Sequence, residues 1–302
     1  MKKILIITSS VDYTVDYIIR KYNKKYIFYR VNIDMFDRYE FNVSYDNGFS
    51  ISNKRWNIKE SEIDAIYYRK PMLPDLTCYE ECYRKMISQD IISYVNGFVD
   101  SFNGKVLSKP SILRKSENKV YQMKLAREVG FKFPMSSIGT NVLEINSIIM
   151  KGAVIKPLTT GKIINEDTCE LIQTSMIENC IDEEISLTPL YLQEYINKSY
   201  EVRVTIINKK VFGVKIDAYN RVDWRIQQNK NKYSVIDIPK EIKAKCFKIM
   251  DLMNLEFGAF DFIVDNNKFI FLEINPNGQW LWLEKELGLN ISKEIMHYLG
   301  RD

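Results

Sequence analysis

Strand-length apolar runs alternating with helix-length amphipathic ones predict an α/β protein, and two stretches carry that prediction. The chain opens with a buried-type strand over Lys3–Thr8, runs into a helical pattern over Tyr13–Tyr22, and returns to a strand over residues 26–33. Near its other end, residues 258–264 and 268–274 alternate polar and apolar side chains on either side of a short Asp/Asn turn, as a hairpin does. At 302 residues, 46% of them hydrophobic, the chain can bury a sizeable core and build one to three lobes.

The remaining elements follow in order. Residues 40–51 form a hairpin-like stretch turning at Asn47-Gly48, 65–69 a strand closed by Pro71 and Pro74, and 80–102 a mostly helical segment. Residues 1–107 thus read as one α/β lobe, with Lys109-Pro110 as its boundary. A helix over 116–129 is expected to start at Ser116 as its N-cap and to end at Gly130. Ala153–Lys156 is a strand stopped by Pro157, and Leu158-Thr159-Thr160-Gly161-Lys162 is a small-residue turn. Strands over 191–195, 201–207 and 210–218, a helix over Lys240–Met253 and a last helix over 291–299 complete the chain.

Composition excludes several function classes. Forty-three basic residues against 39 acidic ones leave a net charge of +4, too balanced for general nucleic-acid binding. The apolar opening run is too short for a signal peptide, and nothing approaches a membrane span, so the expected compartment is the cytoplasm. The cysteines Cys78, Cys82, Cys169, Cys180 and Cys246 are odd in number and lack C-x-x-C spacing, which fits free thiols. The single histidine, His297, excludes a His-rich metal site and argues against a Ser-His-Asp triad. Carboxylates, lysines and arginines are left to carry any chemistry.

The hairpin offers a metal site. If Asp265-Asn266-Asn267 form a three-residue loop, Val264 pairs with Lys268 and Asp261 with Phe271, and Asp261, Glu273 and Asn275 share one face. A two-residue loop is expected to turn Asp261 to the wrong side. Two carboxylates and an amide oxygen on adjacent strands suit Mg²⁺, a hard cation that borrows its other ligands from phosphates and water. The bland alternative is a half-solvated hairpin with its polar residues facing out.

Taken in order, Ser116-Glu-Asn-Lys119, Ala153-Val-Ile-Lys-Pro157 with Thr159-Thr160-Gly161, Leu192-Gln-Glu-Tyr-Ile196, Glu201-Val-Arg203 and the Asp261/Glu273/Asn275 set resemble the ATP-grasp superfamily. The resemblance implies an N-terminal α/β lobe, a central lid subdomain (108–190) and a C-terminal subdomain (191–302), with ATP clamped between two sheets. It also implies roles. Lys119 and Lys156 neutralise the α- and β-phosphates, and Thr159, Thr160 and Gly161 form a lid whose backbone N–H groups cover them. Gln193, Glu194, Tyr195 and Ile196 form the hinge that reads adenine through the main chain, with Glu194 facing the nucleobase amine. Glu201 accepts from the ribose hydroxyls. Arg203 and Arg225 hold the γ-phosphate and the developing acyl phosphate.

A narrower resemblance lies in Tyr67-Tyr-Arg-Lys-Pro71, Asp223-Trp-Arg225 and Glu273-Ile-Asn-Pro-Asn-Gly-Gln-Trp280, with Trp282 and Glu284 following. These look like the graspetide (microviridin-type) macrocyclases. Those ATP-grasp ligases join Asp or Glu side chains of a ribosomally made precursor peptide to Ser or Thr hydroxyls or to Lys amines. The resemblance implies ATP and two Mg²⁺ ions, a precursor peptide with a leader and an acidic core as partner, and a homodimer among the expected states. Asp223 is a candidate general base by position alone, and residues 211–234, with Lys215, Arg221, Lys230 and Lys232, are a candidate peptide contact. Two other readings stand beside this one: a ligase that adds a free amino acid to a carboxylate, and a non-catalytic nucleotide- or peptide-binding module.

Overall fold

The structure, a computed structural model, describes residues 1–159, 162–164, 169–181 and 187–301. It divides into two compact units, residues 1–114 with 255–257 and 279–302, and residues 115–254 with 258–278. Among the described residues no helix is long and apolar enough to cross a membrane.

The first unit is built on a parallel sheet. The strands β1 (Lys3–Thr8), β2 (Ile27–Asn32), β6 (Ala65–Tyr68) and β7 (Lys105–Leu107) lie in the order β2-β1-β6-β7. Parallel neighbours need crossovers, which α1 (Tyr13–Tyr22) and α2 (Glu81–Ser101) supply. Both faces of β1 are closed to water, from Ile4 to Ile7, as a covered parallel sheet requires. A three-stranded antiparallel sheet of β3 (Glu40–Ser44), β4 (Gly48–Ser52) and β5 (Asn57–Lys59) adds Phe49, Ile51 and Ile58 to the core formed with Leu5, Ile7, Val95 and Phe98.

The second unit is antiparallel. The expected helix over 116–129 is two helices, α3 (Pro110–Glu117) and α4 (Lys119–Glu128). The cap of the second is Asn118, not Ser116: Asn118 Oδ1 accepts from Tyr121 N at 2.9 Å. Pro110, expected as a boundary, begins α3, because a first-turn residue needs no N–H. The small sheet comprises β8 (Ser136–Gly139), β9 (Ala153–Lys156), β12 (Ser175–Ile177) and β13 (Leu190–Glu194), in the order β12-β9-β13-β8. Helix α5 (Val142–Ile149) seals one face of it with Ile145, Ile148 and Ile149. Strands β10 (Lys162–Ile164) and β11 (Cys169–Leu171) form a two-stranded antiparallel sheet.

The larger sheet runs β16 (Lys232–Val235), β15 (Lys210–Asp217), β14 (Tyr200–Ile207), β17 (Phe257–Asp265) and β18 (Lys268–Asn275). Helix α6 (Lys240–Met253) precedes the hairpin and buries Cys246, Ile249, Met250 and Met253.

The last two helices, α7 (Leu281–Leu287) and α8 (Ile291–Gly300), return to the first unit. Buried Glu284 on α7 accepts from Tyr17 OH at 2.7 Å, Lys21 Nζ at 2.6 Å and Ser292 Oγ at 2.6 Å, tying α1, α7 and α8 together. Arg69, at the end of β6, is 1% exposed and joins Asp12 to Gln279.

Candidate active site

The hairpin has a tighter turn than expected. Asp265 pairs with Lys268, so the loop is the two residues Asn266 and Asn267, both at positive φ (47° and 60°) as a type I′ turn requires. A regular ladder from that turn would set Leu272 opposite Asp261 and send Glu273 to the Phe260 side. A β-bulge intervenes. Phe262 pairs with Phe271 but Asp261 pairs with Glu273, so Leu272 is the extra residue. The bulge brings Asp261, Glu273 and Asn275 to one face by a different route from the expected three-residue loop. Phe260, Phe262 and Phe271 remain wholly buried on the other.

The three polar residues touch. Asn275 Nδ2 donates to Asp261 Oδ2 at 2.9 Å and to Glu273 Oε1 at 3.1 Å. Two carboxylates therefore converge on one amide, at the point where a hard cation would be held. Among the described residues no group of three His, Cys, Asp or Glu side chains is placed to hold a metal, so any such site here depends on Asn275 as the third ligand. Two carboxylates and an amide fit Mg²⁺, which takes few protein ligands and completes its shell with phosphate and water.

Cations flank the trio. Arg203 on β14 places Nη1 2.7 and 2.6 Å from the two oxygens of Asp261. Glu201, Arg203 and Thr205 alternate onto one face of β14, and all three are buried. Lys119 donates to Glu273 Oε2 at 2.6 Å. A lysine in the first turn opposes the helix dipole, and Glu273 offsets that local cost. Burial works to raise the Glu273 pKa, but Lys119 and Arg225 outweigh it and hold the carboxyl well below its usual range.

Arg225 forms a fork with Asp223, donating from Nε at 2.8 Å and Nη2 at 2.7 Å. Burial pushes the Asp223 carboxyl upward, but these two bonds and the guanidinium charge leave it low. Asp223 is therefore an ionised orienting partner of Arg225.

The small sheet supplies the other candidates. Lys156, at the end of β9, donates to Gln193 Oε1. Burial pulls its ammonium down to about 8, with Glu273 acting against that shift and Lys119 and Arg225 adding to it. Gln193 and Glu194 end β13, and Tyr195 N donates to Gly152 O at 2.9 Å. Glu194 N donates to Met135 O at 2.8 Å, the Glu194 carboxylate accepts from Met135 N at 3.4 Å, and Ile196 is half-buried. Glu201 is 4% exposed and lies 2.7 Å from Lys198 Nζ; burial nevertheless pushes its carboxyl up to about 7. Thr159 is exposed at the bend after β9, and Thr160 and Gly161 lie outside the described residues. In the 211–234 stretch, Lys215 pairs with Asp217 at 2.9 Å, Lys230 sits over the Tyr219 ring, and Lys232 is exposed.

Known proteins resemble both parts of this chain. Residues 116–299 match the RimK-like ATP-grasp domain, and residues 3–114 match the MvdD pre-ATP grasp domain. The chain belongs to the RimK-like ATP-grasp family. No curated protein matches it. Among solved structures, a Chryseobacterium gregarium RiPP-associated ATP-grasp ligase, in complex with ADP and a leader and core peptide, is 25% identical with a TM-score of 0.90, over 99% of this chain and 97% of that one. The macrocyclase MdnC of Microcystis aeruginosa, bound with precursor peptide MdnA, is 23% identical with a TM-score of 0.86, over 98% and 99% of the two chains. The ligase PsnB, complexed with a phosphomimetic variant of its minimal precursor, Mg and ADP, is 16% identical with a TM-score of 0.80.

In this ATP-grasp ligase, side chains that the sequence did not single out pack against the candidate site residues. Gln122 of α4 is buried and bonds to the backbone of Ile274, between Glu273 and Asn275. Lys198 is buried against Glu201, and Ser136 supports Gln193. The contacts of Gln122 with Ile274 and of Ser136 with Gln193 span 152 and 57 positions, whereas the spacing of three between Lys198 and Glu201 was a signal the sequence offered.

Proposed function

We propose that this ATP-grasp ligase macrocyclises a ribosomally made precursor peptide. A side-chain carboxylate of Asp or Glu attacks the γ-phosphorus of ATP, the bond to the β-phosphate oxygen breaks, and ADP leaves. A Ser or Thr hydroxyl, or a Lys amine, of the same peptide then attacks the acyl phosphate. Inorganic phosphate and a proton are released and an ω-ester or ω-amide remains. Donor and acceptor sit on one peptide, so the second step gains a high effective concentration.

The observation that carries this reading is the continuous run of contacts from Lys119 through Glu273, Asn275 and Asp261 to Arg203, two carboxylates joined by an amide and flanked by cations, with Arg225 forked onto Asp223. Lys119, Lys156, Arg203 and Arg225 put four cations where phosphate charge is transferred. Asp261, Glu273 and Asn275 would hold Mg²⁺, in a two-ion arrangement, which supplies charge neutralisation across the phosphates. Glu201 would receive the ribose and residues 193–196 the adenine. Asp223 keeps the Arg225 fork aimed while the carboxylate is activated. The same cations favour an acidic core peptide. Likeness to peptide-bound ligases over nearly the whole chain supports the peptide as substrate. A cytoplasmic setting is part of this reading, in line with five cysteines that lack C-x-x-C spacing.

The test is mass spectrometry of a candidate precursor peptide, a leader followed by an acidic core with Ser, Thr or Lys acceptors, after incubation with the protein, ATP and Mg²⁺. Loss of one water per ring with wild type, and none with Asp261→Ala or Glu273→Ala, is expected. An unmodified precursor beside ADP release that depends on a free amino acid would replace this reading with a ligase of free amino acids.

A further inference from the structure

Gln193 lies in the segment assigned to adenine, yet its side chain turns inward. It is 1% exposed and engages three partners. Lys156 Nζ donates to Oε1, and Nε2 donates to Ser136 Oγ at 3.1 Å and to Tyr191 OH at 3.3 Å. The direction of these bonds is fixed from both ends. An ammonium can only donate, so it requires the amide oxygen. Ser136 Oγ has one proton, which it donates to Pro134 O at 2.8 Å, so it must accept from the amide nitrogen. The chain of bonds therefore runs one way, from Lys156 through Gln193 and Ser136 to the carbonyl of Pro134.

We propose that Gln193 is a positioning residue for Lys156, its amide locked by Ser136 and Tyr191 so that one neutral acceptor holds the ammonium toward the phosphates of a nucleoside diphosphate or triphosphate. The inference rests on the nucleotide reading of the site. A neutral acceptor suits the task. It binds the ammonium firmly enough to place it, and it leaves the positive charge free for an incoming phosphate. A carboxylate in its place would form an ion pair that competes with the nucleotide. The same bond favours the charged form of a lysine whose ammonium burial makes easier to deprotonate. Facing the Lys156 ammonium are Gln193 and the Tyr191 ring from β13, and, through their charges, Glu273, Lys119, Arg225 and Asp223.

The experiment measures ADP affinity with Mg²⁺ by calorimetry from pH 6 to pH 10, for wild type, Gln193→Met, Gln193→Glu, Ser136→Ala and Lys156→Ala. In wild type, affinity falls as pH rises through the Lys156 midpoint. Gln193→Met keeps the packing and removes the acceptor. Its midpoint moves to lower pH by about one unit, and affinity at neutral pH drops roughly tenfold. Gln193→Glu moves the midpoint upward while also weakening binding at neutral pH. Ser136→Ala, at a half-buried position that tolerates truncation, shifts the midpoint the same way as Gln193→Met but less. A merely structural role would not move two midpoints in opposite directions. Unchanged midpoints in Gln193→Met and Ser136→Ala, alongside a clear loss of affinity in Lys156→Ala, overturn the inference alone. A Lys156→Ala protein that binds ADP like wild type overturns the nucleotide reading at this residue, and the inference with it.

Discussion

Gln122 and Ile274 exchange two hydrogen bonds: the side-chain amide donates to the Ile274 carbonyl at 2.9 Å and accepts from its N–H at 3.1 Å. A side chain on α4 thereby acts as a rung on β18. The bonded residue lies between Glu273 and Asn275, and Lys119, one turn earlier on the same helix, reaches Glu273. Helix and candidate ligands are registered to each other through one glutamine.

Replacing Gln122 with alanine should cost ~2–4 kcal/mol, because three backbone groups, the Ile274 N–H and carbonyl and the Ser116 carbonyl, lose its side chain as a partner. Urea unfolding measures this. Gln122→Glu should recover less than half of the loss, since a carboxylate can accept from Ile274 N but cannot donate to its carbonyl. A stability loss below about 0.5 kcal/mol in Gln122→Ala would show that water replaces the rung.

Lys119→Ala leaves Glu273 without its nearest cation. In a chelator the variant should be less stable by ~1–3 kcal/mol. Added Mg²⁺ should close part of that gap, so its thermal shift is larger in the variant than in wild type. Equal shifts in the two proteins would argue that Glu273 is not a ligand.

Gly278 leaves no room for a side chain. A β-carbon there would stand 2.7 Å from Arg203 Nη2 and 2.8 Å from the Ala259 β-carbon. Gly278→Ala should cost ~1–3 kcal/mol and displace Arg203 from Asp261. Precursor conversion should fall at least about tenfold, the effect of misplacing a charge-stabilising group. A variant that folds and turns over like wild type would remove Arg203 from the reaction.

Glu201 gives stability a pH dependence. Its carboxyl titrates at about 7 when folded, against 4.5 for its ordinary value. Between those limits the folded chain holds a proton that the unfolded chain has released. Its contribution is therefore full below pH 4.5 and is lost as pH rises through about 7. Glu201→Gln should flatten the slope of unfolding free energy between pH 5 and pH 7.5. An unaltered slope would place the titration elsewhere.

The sequence was most legible where local signals and burial agree. The opening strand, the first helix, Ala153–Lys156 and Lys240–Met253 were read to the residue, because apolar periodicity and end signals coincide there. Ser136–Gly139 and Val142–Ile149 were passed over, the first being short and rich in small residues, the second having Asn141 as its only start signal. The order of motifs named the candidate site residues, but the Leu272 bulge, the Gln122 rung and the Ser136–Gln193 chain are contacts across the fold. No periodicity reports them.

The rung has a consequence during folding. Strand β18 is the last in its sheet, and such an edge usually invites pairing with another chain. Here Phe271 N donates to Lys132 O at 2.8 Å, and Gln122 occupies both backbone groups of Ile274. An incoming strand would have to evict both. The contacts that register α4 against the hairpin therefore also guard this largely apolar strand pair against self-association, and this guard is in place only once α4 has docked.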